Sequence, residues 1–129
     1  MPNTGDTFTT TLRQAHLEWG AHRHTSTREI RYGEGYLQIP STYAYDFEIT
    51  NDKEPIRSQI YTFSTADGFI QDGSLKASGN QSKENYAKQF HGNGALKLLG
   101  DWFYHIDAQE GDQIKIEFLS PTNILLTKV

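Results

Sequence analysis

Cysteine is absent from the 129 residues, which excludes a disulfide framework and any thiolate metal site. There is no apolar run of membrane length, and no basic N-terminus leading into an apolar core of the leader type. The expectation is therefore a cytoplasmic protein with no membrane partner. A surplus of positive charge is also missing: 12 lysines and arginines stand against 16 aspartates and glutamates, a formal charge of -4. That balance argues against a generic polyanion binder, although local fields rather than the total decide what a surface attracts. No internal repeat, low-complexity tract or linker divides the chain. Residues 1–129 are read as one domain with its own core, and residues 1–8, which are polar, as a loose end.

The net charge conceals an uneven distribution. Segment 22–31 carries Arg23, Arg28 and Arg31 against Glu29, a net of +2, with His22 and His24 beside them. Segment 57–97 is also +2, whereas 101–117 holds five acids and one lysine.

The clearest helical signal runs from Ala95 to Ile106. Ala95, Leu98, Leu99, Trp102, Phe103 and Ile106 recur at the spacing of an amphipathic stripe, which predicts a helix over 94–106 with Asn93 as N-cap. A turn at Gly111-Asp112 follows. Ile114, Ile116 and Phe118 then alternate with Lys115 and Glu117 as a half-buried strand does. Ser120–Asn123 reverses the chain into a last strand over 124–129. Earlier, residues 9–21 carry ambiguous periodicity and suit a short helix or an extended lead-in. Strands are expected at 36–39, 47–50 and 60–63, and another opening at Phe69-Ile70; Pro40 and Ser41 start a short helix to Asp46. Gly33-Glu34-Gly35, Ala66-Asp67-Gly68 and Asp72-Gly73 are turns. Residues 74–93 are long, polar and poor in apolar side chains, as a functional arm is. The pattern is mostly β, with helices a minority.

Residue types that carry chemistry do not converge. His22 and His24 lack a third ligand at metal-binding spacing, so no metal and no cofactor is assigned. Asp112 with Lys115, and Asp52 with Lys53, lack the upstream acid of a magnesium nuclease site, and Asp112 fits a turn. No catalytic residue is assigned. Gly92-Asn93-Gly94 precedes a helix but fits a cap better than an anion cradle. What remains is two polar, basic stretches. The first offers Arg23, His24, Thr25, Ser26, Thr27, Arg28 and Arg31. The second offers Lys76, Ser78, Asn80, Gln81, Lys83, Asn85 and Lys88. Guanidinium forks suit phosphates and guanine edges, amides pair with adenine, and hydroxyls and lysines hold the backbone.

The blocks Gly33–Pro40, Phe47–Asn51, Gly100–Phe103 and Glu110–Ile116 together resemble a known family. They are similar to the pseudobarrel DNA-recognition domain of plant B-three transcription factors and of the effector or specificity domains of type II restriction endonucleases. The resemblance runs from about Arg23 to Val129. It implies a seven-stranded open pseudobarrel with two short helices, and two arms gripping the major groove like a wrench. One arm lies between the first two strands, matching 22–31; the other lies between the fourth and fifth, matching part of 71–85. The plant domains are generally basic, and this chain departs from them in being acidic.

The reading is sequence-specific binding of double-stranded DNA in a restriction-modification setting. Any cutting is left to a separate nuclease domain or subunit, and the chain itself is not read as an enzyme. Two rivals stand beside it. A small hydrolase or nuclease would need His91, Asp101 and His105 in one pocket. A β-barrel module for a protein or saccharide would need an exposed patch built from Tyr32, Tyr36, Tyr43 and Tyr45.

Overall fold

Alternating burial along seven short strands builds the molecule. The computed structural model describes residues 2–13, 35–51, 59–83, 85–95 and 97–129. Its elements are β1 (Thr7–Thr11), β2 (Leu37–Gln38), α1 (Ser41–Asp46), β3 (Ile60–Thr65), β4 (Gly73–Ser78), β5 (Gln89–Gly92), α2 (Leu98–His105), β6 (Gln113–Ser120) and β7 (Asn123–Lys128). They form one seven-stranded sheet in the order β1-β6-β7-β3-β4-β5-β2. All pairs are antiparallel except β3 with β7, whose parallel register sets Thr62 beside Asn123. The sheet curls into a nearly closed pseudobarrel with two short helices, as expected.

The inward residues are those that alternation predicts. Ile114, Ile116 and Phe118 of β6, Ile124 and Leu126 of β7, Tyr61 and Phe63 of β3, and Leu75 and Ala77 of β4 are buried. Aromatic edges fill the middle: Tyr61 meets the rings of Phe90 and Phe118 at 5.4 and 5.9 Å in T-shaped contacts.

Each helix covers one rim. Pro40 has no N–H to lose and its carbonyl accepts from Tyr43 and Ala44, so α1 begins there. Ala44 is buried, and Tyr43 stacks on Phe8 with ring centroids 5.1 Å apart. At the other rim α2 inserts Leu99, Trp102 and Phe103, while Leu98 is only half-buried.

Several expectations are corrected. The polar N-terminal residues are not a loose end: Thr7 and Phe8 belong to β1, and Phe8 is 3% exposed. Burying that ring under α1 outweighs the polarity of its neighbours. The ambiguous stretch from Thr9 proves extended as far as Thr11, and 14–21 lie outside the described residues. Residues 47–50 are not a strand, because Ile49 donates to the Ala44 carbonyl and Glu48 sits at φ 53°, wrapping the end of α1. Only Thr50 forms a bridge, to Tyr86. Phe69 and Ile70 do not open a strand; they lie in the β3–β4 connection, where Ile70 exchanges hydrogen bonds with Thr65. The polar stretch 74–93 contains most of β4 and all of β5, leaving 79–88 as the arm. The helix is shorter than 94–106, and Asn93 does not cap it. The Asn93 backbone N–H and side-chain amide both donate to Ser74, and Lys97 at the cap makes no side-chain cap bond.

Candidate nucleic-acid interface

The β4–β5 arm is tied down at both roots. Buried Asn51 donates through Nδ2 to the Gly79 carbonyl (2.7 Å) and to Asn80 Oδ1 (3.0 Å). Its backbone N–H reaches the Asn85 carbonyl (3.0 Å), and Ala87 donates to Ile49 (2.9 Å), so 49–51 run as a brace beside the returning limb. Within the arm, Gln81 donates to Tyr86 (3.0 Å) and Tyr86 to Lys83 (3.1 Å), closing a tight loop. Gly79 makes the first bend at φ 75°, a conformation that glycine adopts without strain. Tyr86 meets Tyr45 of α1 edge to face at 5.1 Å, and Lys83 Nζ lies 4.8 Å from the centre of the Tyr45 ring.

This network divides the second set of candidate residues. Asn80, Lys83, Asn85 and Lys88 are exposed. Neither Lys83 nor Lys88 forms an ion pair with a carboxylate among the described residues. Gln81 is held inward instead: its Nε2 donates to the carbonyls of Ile39 (2.7 Å) and Ala87 (3.2 Å). With both amide hydrogens committed, it cannot pair bidentately with a base. The hydroxyl oxygen of Ser78 is buried and has no hydrogen-bond partner among the described residues, so it cannot face a phosphate. Lys76 is half-buried on the outer face of β4, opposite His91 of β5 in the register. Arg23, His24, Thr25, Ser26, Thr27, Arg28 and Arg31 lie outside the described residues.

The roots of the two connections are placed by the register. The arm 79–88 leaves the rim covered by α1. The chain leaves β1 past Leu12, which exchanges backbone hydrogen bonds with the 111–112 turn, and returns at Gly35, packed against the Phe103 ring of α2. The β1–β2 connection therefore departs from the opposite rim. Between the rims, the outer faces of β2, β4 and β5 carry Gln38, Lys76, Gln89 and His91, all half-buried and none acidic. Gln38 was not among the candidates, and only pairing with Gln89 brings it to this wall.

Asp67, Asp101, Asp107 and Asp112 all lie on α2 or the turns beside it, while Asp46 and Glu48 lie at the end of α1. Burial acts to raise the Asp67 carboxyl, but hydrogen bonds from Thr65, Phe69 and Trp102 and the nearby His105 outweigh it and hold it below the ordinary aspartate value. Asp112 is also held low, first by the Gln109 N–H and then by Lys128, against opposing desolvation. It serves a turn, as expected, with Gln109 N–H donating to Oδ2 at 2.8 Å.

The rival constellations do not assemble as their readings need. Asp101 and His105 line one cleft with Phe69 and Tyr104, but His91 is on β5 and does not line it. Tyr43 and Tyr45 are half-buried and engaged with Phe8 and Tyr86, Tyr36 is half-buried, and Tyr32 lies outside the described residues. Compared with protein-family models the chain matches none, and it matches no curated protein.

Proposed function

We propose that this chain binds double-stranded DNA sequence-specifically, with the β4–β5 arm as one jaw and the β1–β2 connection, with Arg23, Arg28 and Arg31, as the other. The observation that carries the reading is the braced arm, which holds Lys83, Asn85 and Lys88 outward while Asn51 and Gln81 fix its roots. A loop already ordered loses less entropy on binding than a mobile one. Because the two connections leave opposite rims, a duplex held by both lies along the outer wall of β2, β4 and β5. The resemblance to B-three-type recognition domains supports the same arrangement. In the restriction-modification setting it suggests, strand cleavage belongs to a separate nuclease domain or subunit.

The test is selection from a randomised duplex pool, followed by anisotropy titrations of the winning site across a salt series. Lys83→Ala and Lys88→Ala are each expected to weaken binding to all sequences and to lower the log–log salt slope by about one unit. Asn85→Ala is expected to cost roughly 1–3 kcal/mol and relax preference at one base pair. Failure to enrich any sequence, or a Lys83→Ala/Lys88→Ala double variant with parental affinity, would overturn the reading.

A further inference from the structure

The α2 rim has a surface that the DNA reading leaves unused. Asp101, Tyr104 and His105 are three and four positions apart on α2, so they share its solvent face, opposite Leu99, Trp102 and Phe103. The β3–β4 connection brings Phe69 to the same face. Asp67 fixes it there: Oδ1 accepts from Thr65 Oγ1 (2.6 Å) and from the Phe69 N–H (2.9 Å), and Oδ2 accepts from Trp102 Nε1 (3.0 Å). The Phe69 ring consequently stacks on His105, with centroids 4.0 Å apart and planes 13° from parallel. Phe69 remains 45% exposed and Tyr104 90% exposed. Phe69, Asp101, Tyr104 and His105 line an open cleft of about 460 Å³.

We propose that this cleft docks a cationic segment of a partner protein, taking an arginine side chain against the aromatic faces with its guanidinium on Asp101. Two large, exposed aromatic rings beside a carboxylate match what a guanidinium offers: a flat face that stacks, an edge of donors and a positive charge. Tyr104, almost wholly exposed on a short, well-packed helix, has the character of an interface anchor. The field at this rim selects the sign of the occupant. Asp67 and Asp107 flank the cleft residues in sequence, so a nucleic acid or acidic peptide is repelled where an arginine-bearing segment is drawn in. The site is independent of the β4–β5 arm, which lies at the other rim, although the β1–β2 connection leaves β1 at this one.

The test titrates the full chain with the peptide acetyl-Gly-Arg-Gly-Arg-Gly-amide and its citrulline counterpart, following backbone amide resonances. The arginine peptide is expected to shift Phe69, Asp101, Tyr104 and His105 saturably, and the citrulline peptide to bind more weakly. Asp101→Asn should reduce affinity roughly threefold to fivefold, and Tyr104→Ala about fivefold, with melting temperatures unchanged because both side chains are exposed. Equal binding of the citrulline peptide, full affinity in both variants, or stronger shifts of these four amides by a DNA duplex would each overturn the proposal. A cleft left unmoved by the arginine peptide, while a DNA duplex shifts the arm, would overturn this site alone.

Discussion

Asp67 shows how much one exposed carboxylate can organise. Its three acceptor bonds join β3, the following connection and the indole of α2, and they also hold its proton affinity below normal. Trp102 is 1% exposed, so losing its acceptor strands a buried donor. Asp67→Ala is therefore expected to lower stability by about 1–3 kcal/mol, with Asp67→Asn milder because a carbonyl oxygen remains. Urea unfolding at neutral pH measures both, and an alanine variant as stable as the parent would show that the indole finds water instead. Gln81 teaches the opposite lesson about a polar residue in a loop. Its amide holds two main-chain carbonyls, so a side chain suited to base recognition acts as a fastening.

Among elements, the arm depends on residues distant in sequence. Asn51 follows α1, yet it braces Gly79, Asn80 and Asn85. Asn51→Ala is expected to cost roughly 1–3 kcal/mol in stability by leaving the Gly79 carbonyl without its donor. Affinity for a selected duplex should fall with it, because the arm then has to be ordered on binding. Hydrogen exchange at 79–88 provides the direct reading: protection should drop there and persist in β6 and β7. Unchanged protection of the arm would mean that Gln81 alone suffices to hold it.

At the scale of the whole molecule, stability depends on pH at both extremes. The carboxyls of Asp67 and Asp112 are lower in the folded state than in the unfolded chain. Their contribution is present above the unfolded value and is lost as pH falls through the folded one. Tyr61, raised by burial to about 12, has the reverse sign, and Tyr36 is raised for the same reason. Below the ordinary tyrosine value the Tyr61 contribution is complete, and it disappears as pH climbs towards about 12. The Tyr61 shift corresponds to about 2–3 kcal/mol of alkaline destabilisation. Denaturant midpoints at neutral pH and near pH 11 should differ by about half of that, because pH 11 lies midway between the unfolded and folded values. Tyr61→Phe should shrink the difference, and an equal fall in the variant would assign the effect to other groups.

The sequence by itself determined the class of fold and most of its pieces. The alternation at Ile114, Ile116 and Phe118, the Pro40-Ser41 start of α1, and the three- and four-residue spacing through Leu99, Trp102 and Phe103 each express a local periodicity that burial then obeys. Seven strands curled into a pseudobarrel were anticipated by resemblance rather than by periodicity. Where the sequence misled, long-range partners won. Phe8 joined β1 because α1 covers it, Asn93 turned to Ser74 instead of capping α2, and the Leu75-x-Ala77 and Phe90-x-Gly92 alternation hid inside a stretch that polarity alone marks as loop. For the candidate site, the sequence supplied Lys83, Asn85 and Lys88 as exposed polar groups. Only the tertiary structure decided that Gln81 points inward, that Gln38 joins the wall, and that Phe69 meets His105 across 36 residues. The physical reason is that a side chain's role depends on which hydrogen-bond and ring partners lie within a few ångströms, and strand register, not sequence neighbourhood, sets that distance.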